Sequence, residues 1–118
     1  MTVKEWLFRL KELKDDADRI ERELERSGPG NSKKNRELRK KLEKARSEYL
    51  EEYDAILRGI NGLDSHVFRQ IMKKRYLDQK PFWKIARELG YAEQYIKNMH
   101  SKALKEFSRV MEKGTKKM

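Results

Sequence analysis

The side chains best suited to chemistry lie between Glu93 and Lys102, and that chemistry is recognition, not bond breaking. Glu93, Gln94, Lys97, Asn98 and Ser101 recur at steps of one, three and four residues. On a helix, those steps place them on one side. An Asn or Gln amide carries a donor and an acceptor that can make paired hydrogen bonds to the N7 and N6 groups of adenine. Lys donates to guanine acceptors, Glu accepts from the cytosine amino group, and Ser does either. Lys84, Arg87, Lys102 and Lys105 stand around them, with Lys73, Lys74 and Arg75 further upstream. Such cations suit phosphate oxygens, which position a protein on a duplex without reading its sequence.

Other chemistries lack their residues. The chain has no cysteine, which removes disulfides, thiolate zinc sites and a cysteine nucleophile and fits a reducing compartment. His66 and His100 fall in separate predicted helices without a second ligand at metal spacing. The adjacent carboxylates Asp15-Asp16 and Glu51-Glu52 diverge on a helix and sit among bases, so they read as solvated faces and not as an acid–base pair. No glycine-rich phosphate loop is present. The expectation is a non-enzymatic protein with no metal and no cofactor. Trp6 and Trp83 are expected to anchor a core or an interface, and His100 to pack or to touch phosphate.

Charge separates along the chain. Residues 1–60 carry 16 Lys/Arg and 14 Asp/Glu, whereas residues 61–118 carry 14 and 6. Most of the formal +10 therefore belongs to the second half, where phosphate neutralisation would supply non-specific affinity for a polyanion. No apolar run approaches the ~20 residues that span a bilayer, and the acid-bearing N-terminus lacks the apolar stretch of a signal peptide. A cytoplasmic location, with no membrane partner, is expected.

The elements that must position these groups are helices. Only 36% of residues are hydrophobic and 42% are charged, a balance that fits long helices each burying one stripe. Val3, Trp6, Leu10, Leu13, Ala17, Ile20 and Leu24 alternate steps of three and four, the seam of a coiled coil. Thr2 is a suitable N-cap, and Ser27-Gly28-Pro29-Gly30 ends the helix near Arg26. A second helix, capped by Asn31 or Ser32, carries Leu38, Leu42, Ala45, Tyr49, Tyr53 and Ile56, with Leu50 and Leu57 widening its apolar face. The short break predicts an antiparallel hairpin. At 1.5 Å per residue its seam is about 33 Å long, so it is expected to project from a small head.

Gly59-Ile60-Asn61-Gly62 reads as the end of that hairpin and as the domain boundary. Asp64 or Ser65 then caps a third helix, with Val67, Phe68, Ile71, Met72, Tyr76 and Leu77 on its inner face, ending near Asp78. Pro81 suits a first helical position. Phe82, Ile85, Ala86 and Leu89 form the inner stripe of a short fourth helix. Gly90 supplies the left-handed residue for a tight turn, and Tyr91 is expected to plug the corner. Ile96, Met99, Ala103, Leu104 and Phe107 line the inside of a last helix from about Glu93 to Glu112. Lys113–Met118 reads as a basic tail.

Lys80–Leu104 resembles region 4 of bacterial sigma factors through Ile85-Ala86, Leu89-Gly90-Tyr91, Ile96-Lys97 and Ala103-Leu104. Arg75-Tyr76-Leu77, Phe82-Trp83-Lys84-Ile85-Ala86 and Met99-His100 are similar to the phage late-transcription regulators of the RinA/ArpU type. The resemblance covers about residues 65–110 and leaves the hairpin without a motif. It implies a helix-turn-helix whose second helix reads the DNA major groove, with the base-reading role falling to Glu93, Gln94, Lys97 and Asn98. Region 4 usually has Ser at the N-cap of that helix, where this chain has Ala92; loss of a hydroxyl cap costs ~1 kcal/mol.

The sequence thus predicts an all-α protein. Residues 1–60 form a helical hairpin for homodimerisation, RNA polymerase contact or both, and residues 61–118 form a three-helix, helix-turn-helix head able to fold alone. The function expected is sequence-specific binding of double-stranded DNA in transcription regulation, as a phage or prophage activator in a bacterial host cell. The rival expectation is a phage small terminase subunit that recognises packaging sites.

Overall fold

A computed structural model describes residues 2–116, with side chains described for residues 2–112. The chain is all-helical, with no strand among the described residues. Helix α1 spans Val3–Ser27, α2 Lys33–Asn61, α3 His66–Met72, α4 Phe82–Leu89 and α5 Glu93–Lys116, with a π-helical segment over Lys73–Leu77 continuing α3. Of the predicted tail over 113–118, residues 113–116 continue α5; the tail's side chains and residues 117–118 lie outside the described part.

Local chemistry explains most helix ends. The Thr2 hydroxyl accepts the Glu5 N–H while the Glu5 carboxylate accepts the Thr2 N–H, a reciprocal capping box. Ser32 and Ser65 accept the N–H groups of Asn35 and Phe68. Gly90 sits at φ 78°, ψ 32°, and the Ala86 carbonyl takes both the Gly90 and the Tyr91 N–H at 2.9 Å. Pro81 is the residue before α4, one position earlier than expected.

Helices α1 and α2 lie antiparallel: Trp6 bonds Glu52, Glu21 pairs with Arg46, and Ser27 bonds Asn35. Their loop is closed by the buried Asn35, whose amide donates to the carbonyls of Gly28 and Gly30 at 3.2 Å each. Leu7, which lies outside the predicted three-four seam, is among the most buried residues, and Leu50, expected on the inner face, is 57% exposed. The two positions differ because α1 packs against more than α2.

The larger core joins Leu7 and Leu10 of α1, Ile56 and Ile60 of α2, Leu63, Met72, Leu77, and Ala103 and Phe107 of α5. Trp6 stacks on Phe107 with ring centroids 5.9 Å apart. This core draws on both sides of the expected boundary at 60/61, which itself falls inside α2. Gly59, expected to stop that helix, is helical and buried. Its missing side chain leaves room for Phe107: a Cβ there would lie 2.7 Å from the ring. A head of residues 61–118 alone would lose the partners of Phe107, so independent folding is not expected from this packing.

A smaller core of Ile71, Ile85, Ala86 and Ile96, flanked by Val67, Phe82, Leu89 and Met99, ties α3 and α4 to the first turns of α5. The π-helical segment between the cores carries the bond from the Asp78 N–H to the Lys73 carbonyl, 3.0 Å. One extra residue in a turn is the signature of such a bulge. Gln79 follows in the left-handed region at φ 58° and donates its amide to the Tyr76 carbonyl at 2.7 Å, which turns the chain into α4.

Candidate nucleic-acid interface

The short turn at Gly90 sets α5 against α4, and the smaller core locks the pair. Ile96 is fully buried and Ala86 nearly so, which lets the helices approach closely. With Ile96, Met99 and Ala103 turned inward, Glu93, Gln94, Lys97, Asn98, Ser101 and Lys102 are all exposed. The five predicted base-reading residues thus share one solvent-facing surface. The Gln94 amide donates to Asn98 Oδ1 at 3.1 Å, so the two amides are pre-aligned and each keeps unused polar atoms. The Ser101 hydroxyl donates to the Lys97 carbonyl at 3.3 Å, which leaves it free to accept. Ala92 opens α5 through its carbonyl alone, bonded to the Ile96 N–H.

The predicted phosphate-contacting cations divide into two kinds. Lys84, Arg87, Lys102 and Lys105 are exposed, and none has an ion pair among the described residues. Lys73 and Lys74 are half-buried. Lys74 is committed to Glu88, Nζ to Oε1 2.9 Å, and Lys80 meets the same carboxylate at 2.9 Å. Hydrogen bonds from these two ammonium groups hold the Glu88 carboxyl down to about 2. Arg75 is also committed: its guanidinium lies 4.1 Å from the centre of the Phe82 ring and donates to the Lys80 carbonyl.

His100 is buried behind this surface and shares a 2.6 Å hydrogen bond with the Tyr76 hydroxyl. Phe82 meets its ring edge-on at 4.9 Å. Burial, then the charges of Arg75 and Lys4, hold His100 down to about 4, and burial pushes Tyr76 up to about 12. The imidazole is therefore neutral near pH 7 and serves packing, not phosphate contact. Among the described residues no three His, Asp or Glu side chains cluster as a metal site, and no helix is long and apolar enough to cross a membrane.

Two corrections concern aromatics. Tyr91, expected to plug the corner, is 43% exposed and packs on Tyr95, ring centroids 4.8 Å apart. Trp83, expected to anchor a core or an interface, is 56% exposed on α4 and so does not anchor the core, whereas Trp6 is part of the core rim. Residues missed at the sequence level are Lys4 and Lys11. Both line a groove of about 800 Å³ between α1, the π-helical segment, the start of α4 at Phe82 and α5, together with Lys97 and Ser101. A second groove of about 490 Å³ continues past Lys4 and Ser101 to Lys105 and Arg109. Their membership follows from tertiary packing of α1 beside α5, which no local pattern announces.

Comparison with protein-family models, with curated proteins and with solved structures finds no match to this chain.

Proposed function

We propose that the chain is a sequence-specific double-stranded DNA-binding protein that regulates transcription, in keeping with its resemblance to sigma region 4 and to phage late-transcription regulators. In this reading α4, the Gly90 turn and α5 are a helix-turn-helix, and α1 with α2 forms a helical hairpin docked on it. The observation that carries the reading is the exposed polar face of α5 from Glu93 to Lys105, held rigid by buried Ile85, Ala86 and Ile96. A helix of about 10–12 Å diameter fits a major groove about 12 Å wide. Gln94, Lys97 and Asn98 would read base edges, Glu93 would discriminate cytosine, and Lys84, Arg87 and Lys102 would grip phosphates. The surplus of cations in residues 61–118 supports the same reading through counterion release. A homodimer would present two such faces to paired half-sites, and RNA polymerase is the second partner that the resemblance implies.

The test is selection of bound duplexes from a random pool, followed by titration of the winning site. Lys97→Ala and Gln94→Ala should each weaken that site by ~1–3 kcal/mol and relax preference at one base pair. An identical loss on every sequence would argue against base readout. Solution mass is measured alongside: one or two copies fit a regulator, and a ring of eight to ten or so would favour the packaging-subunit alternative.

A further inference from the structure

The polar face of α5 is bracketed on both sides. On one side Met99 packs into the smaller core with Ile85 and Ala86 of α4. On the other, Leu104 and Ser108 line a groove with Val3 and Lys4 of α1. Position 104 is five residues beyond 99, about 140° around a helix of 3.6 residues per turn. Ile96, Ala103 and Phe107 fill that inward arc, and Gln94, Lys97, Asn98 and Ser101 occupy the remaining arc of about 220°, a face bordered by α4 at one edge and by the first turns of α1 at the other. A DNA major groove has the same symmetry, since a phosphate backbone runs along each rim. Lys84 and Arg87 serve the α4 side; the composition of residues 1–60 offers no hint of a counterpart.

The structure supplies one. Lys4, Lys11, Arg75 and Lys97 line the first groove, and Lys105 and Arg109 line its continuation, against the single acid Glu5. The Glu5 carboxylate is already engaged by the Thr2 N–H in the capping box. Lys4 and Lys11 are two helical turns apart on one face of α1, both exposed, with Phe8 between them at 59% exposure. Neither lysine has an ion pair among the described residues. Two unpaired cations aimed into a trough shared with Lys97 are placed for phosphate oxygens and not for a neighbouring carboxylate.

We infer that the N-terminal turns of α1 are part of the nucleic-acid interface, with Lys4 and Lys11 gripping the phosphate backbone on the rim of the major groove opposite the one held by α4. This rests on the proposed duplex-binding function and assigns it a second wall. The hairpin is then a clamp arm, and its apparent charge neutrality hides a basic stripe at one end.

The test compares the full-length protein with Lys4→Gln/Lys11→Gln and a control, Lys33→Gln/Lys40→Gln, which removes the same charge from exposed positions on α2 outside both grooves. Affinity for a fixed duplex is measured from 50 to 200 mM salt. Each lost phosphate contact lowers the slope of log affinity against log salt by about 0.9. The α1 variant should therefore lose about 1.8 of slope, and about 12-fold less of its affinity should vanish across that range. Its ranking of base substitutions in the site should stay as in the parent, and the control should keep the parental slope. An unchanged slope in the α1 variant, or an equal loss in the control, overturns the assignment while leaving duplex binding intact. Absence of salt-dependent duplex binding by the parent protein overturns the functional reading itself.

Discussion

Replacing Gly59 with Ala puts two physical rules in opposition. In a helix interior, Gly to Ala is ordinarily worth about 1 kcal/mol of stability, because glycine loses more backbone freedom on folding. At this position a methyl group would meet Met111 Sδ at 2.5 Å and the Phe107 ring at 2.7 Å. The methionine end can swing aside. Phe107 cannot: it is fully buried, and Trp6 stacks on it. Forcing a methylene into a filled core costs roughly 1–3 kcal/mol, so the balance runs from about 0 to 2 kcal/mol; with the ring only 2.7 Å away and locked by Trp6, a net loss in the upper half of that range, about 1–2 kcal/mol, is expected. Urea denaturation followed by circular dichroism measures it, and in a thermal scan the midpoint should fall by roughly 3–6 °C per kcal/mol. Ser47→Ala, at an exposed site on the same helix, reports propensity alone and should gain a few tenths of a kcal/mol. If Gly59→Ala were as stable as the parent or more so, Phe107 would not lie on α2 there, and the shared core would be wrong.

The remaining predictions probe other contacts. His100 titrates at about 4 when folded against 6.5 when free, so the unfolded chain takes up the proton first; stability is complete above pH 6.5 and falls as pH drops toward 4. The loss between pH 7 and pH 5 should be about 2 kcal/mol, and His100→Gln should flatten that dependence in urea titrations at the two pH values. Glu88→Gln should release Lys74 and Lys80 and raise non-specific duplex affinity in filter binding; an unchanged affinity would place those lysines away from the nucleic acid. Deleting residues 1–58 should yield a chain without sharp thermal unfolding, because Phe107 and Met72 lose the residues that bury them; a cooperative transition would separate the two halves.

What could be read from the sequence was whatever a few neighbouring residues decide. Thr2, Ser32 and Ser65 cap helices because a hydroxyl reaches an N–H three residues on, and Gly90 turns the chain because it alone accepts a left-handed backbone at no steric cost. The exposure of the polar face of α5 followed from the periodicity of Ile96, Met99 and Ala103. Gly59 misled because a glycine that breaks a helix and one that admits a ring look identical in sequence. Leu50 and Tyr91 misled because an apolar side chain on the predicted inner side is buried only if something covers it. Lys4 and Lys11 were invisible as groove residues: their neighbours across the groove are more than sixty positions away.

The wide turn at Lys73–Leu77 amounts to one surplus residue between the two halves of the molecule. Trimming it would restore a regular spiral and its tidier hydrogen bonding. Everything from Asp78 onward would then swing about 100° around the axis of α3, the angular step of a single residue. Gly90 would still bend the chain and the polar rod beyond would still form, but its amides would aim past the spot that Lys4 and Lys84 now flank. Irregular backbone at this point acts as an angular gauge, and evolution could retune the bearing of the whole rod by losing or gaining one amino acid there.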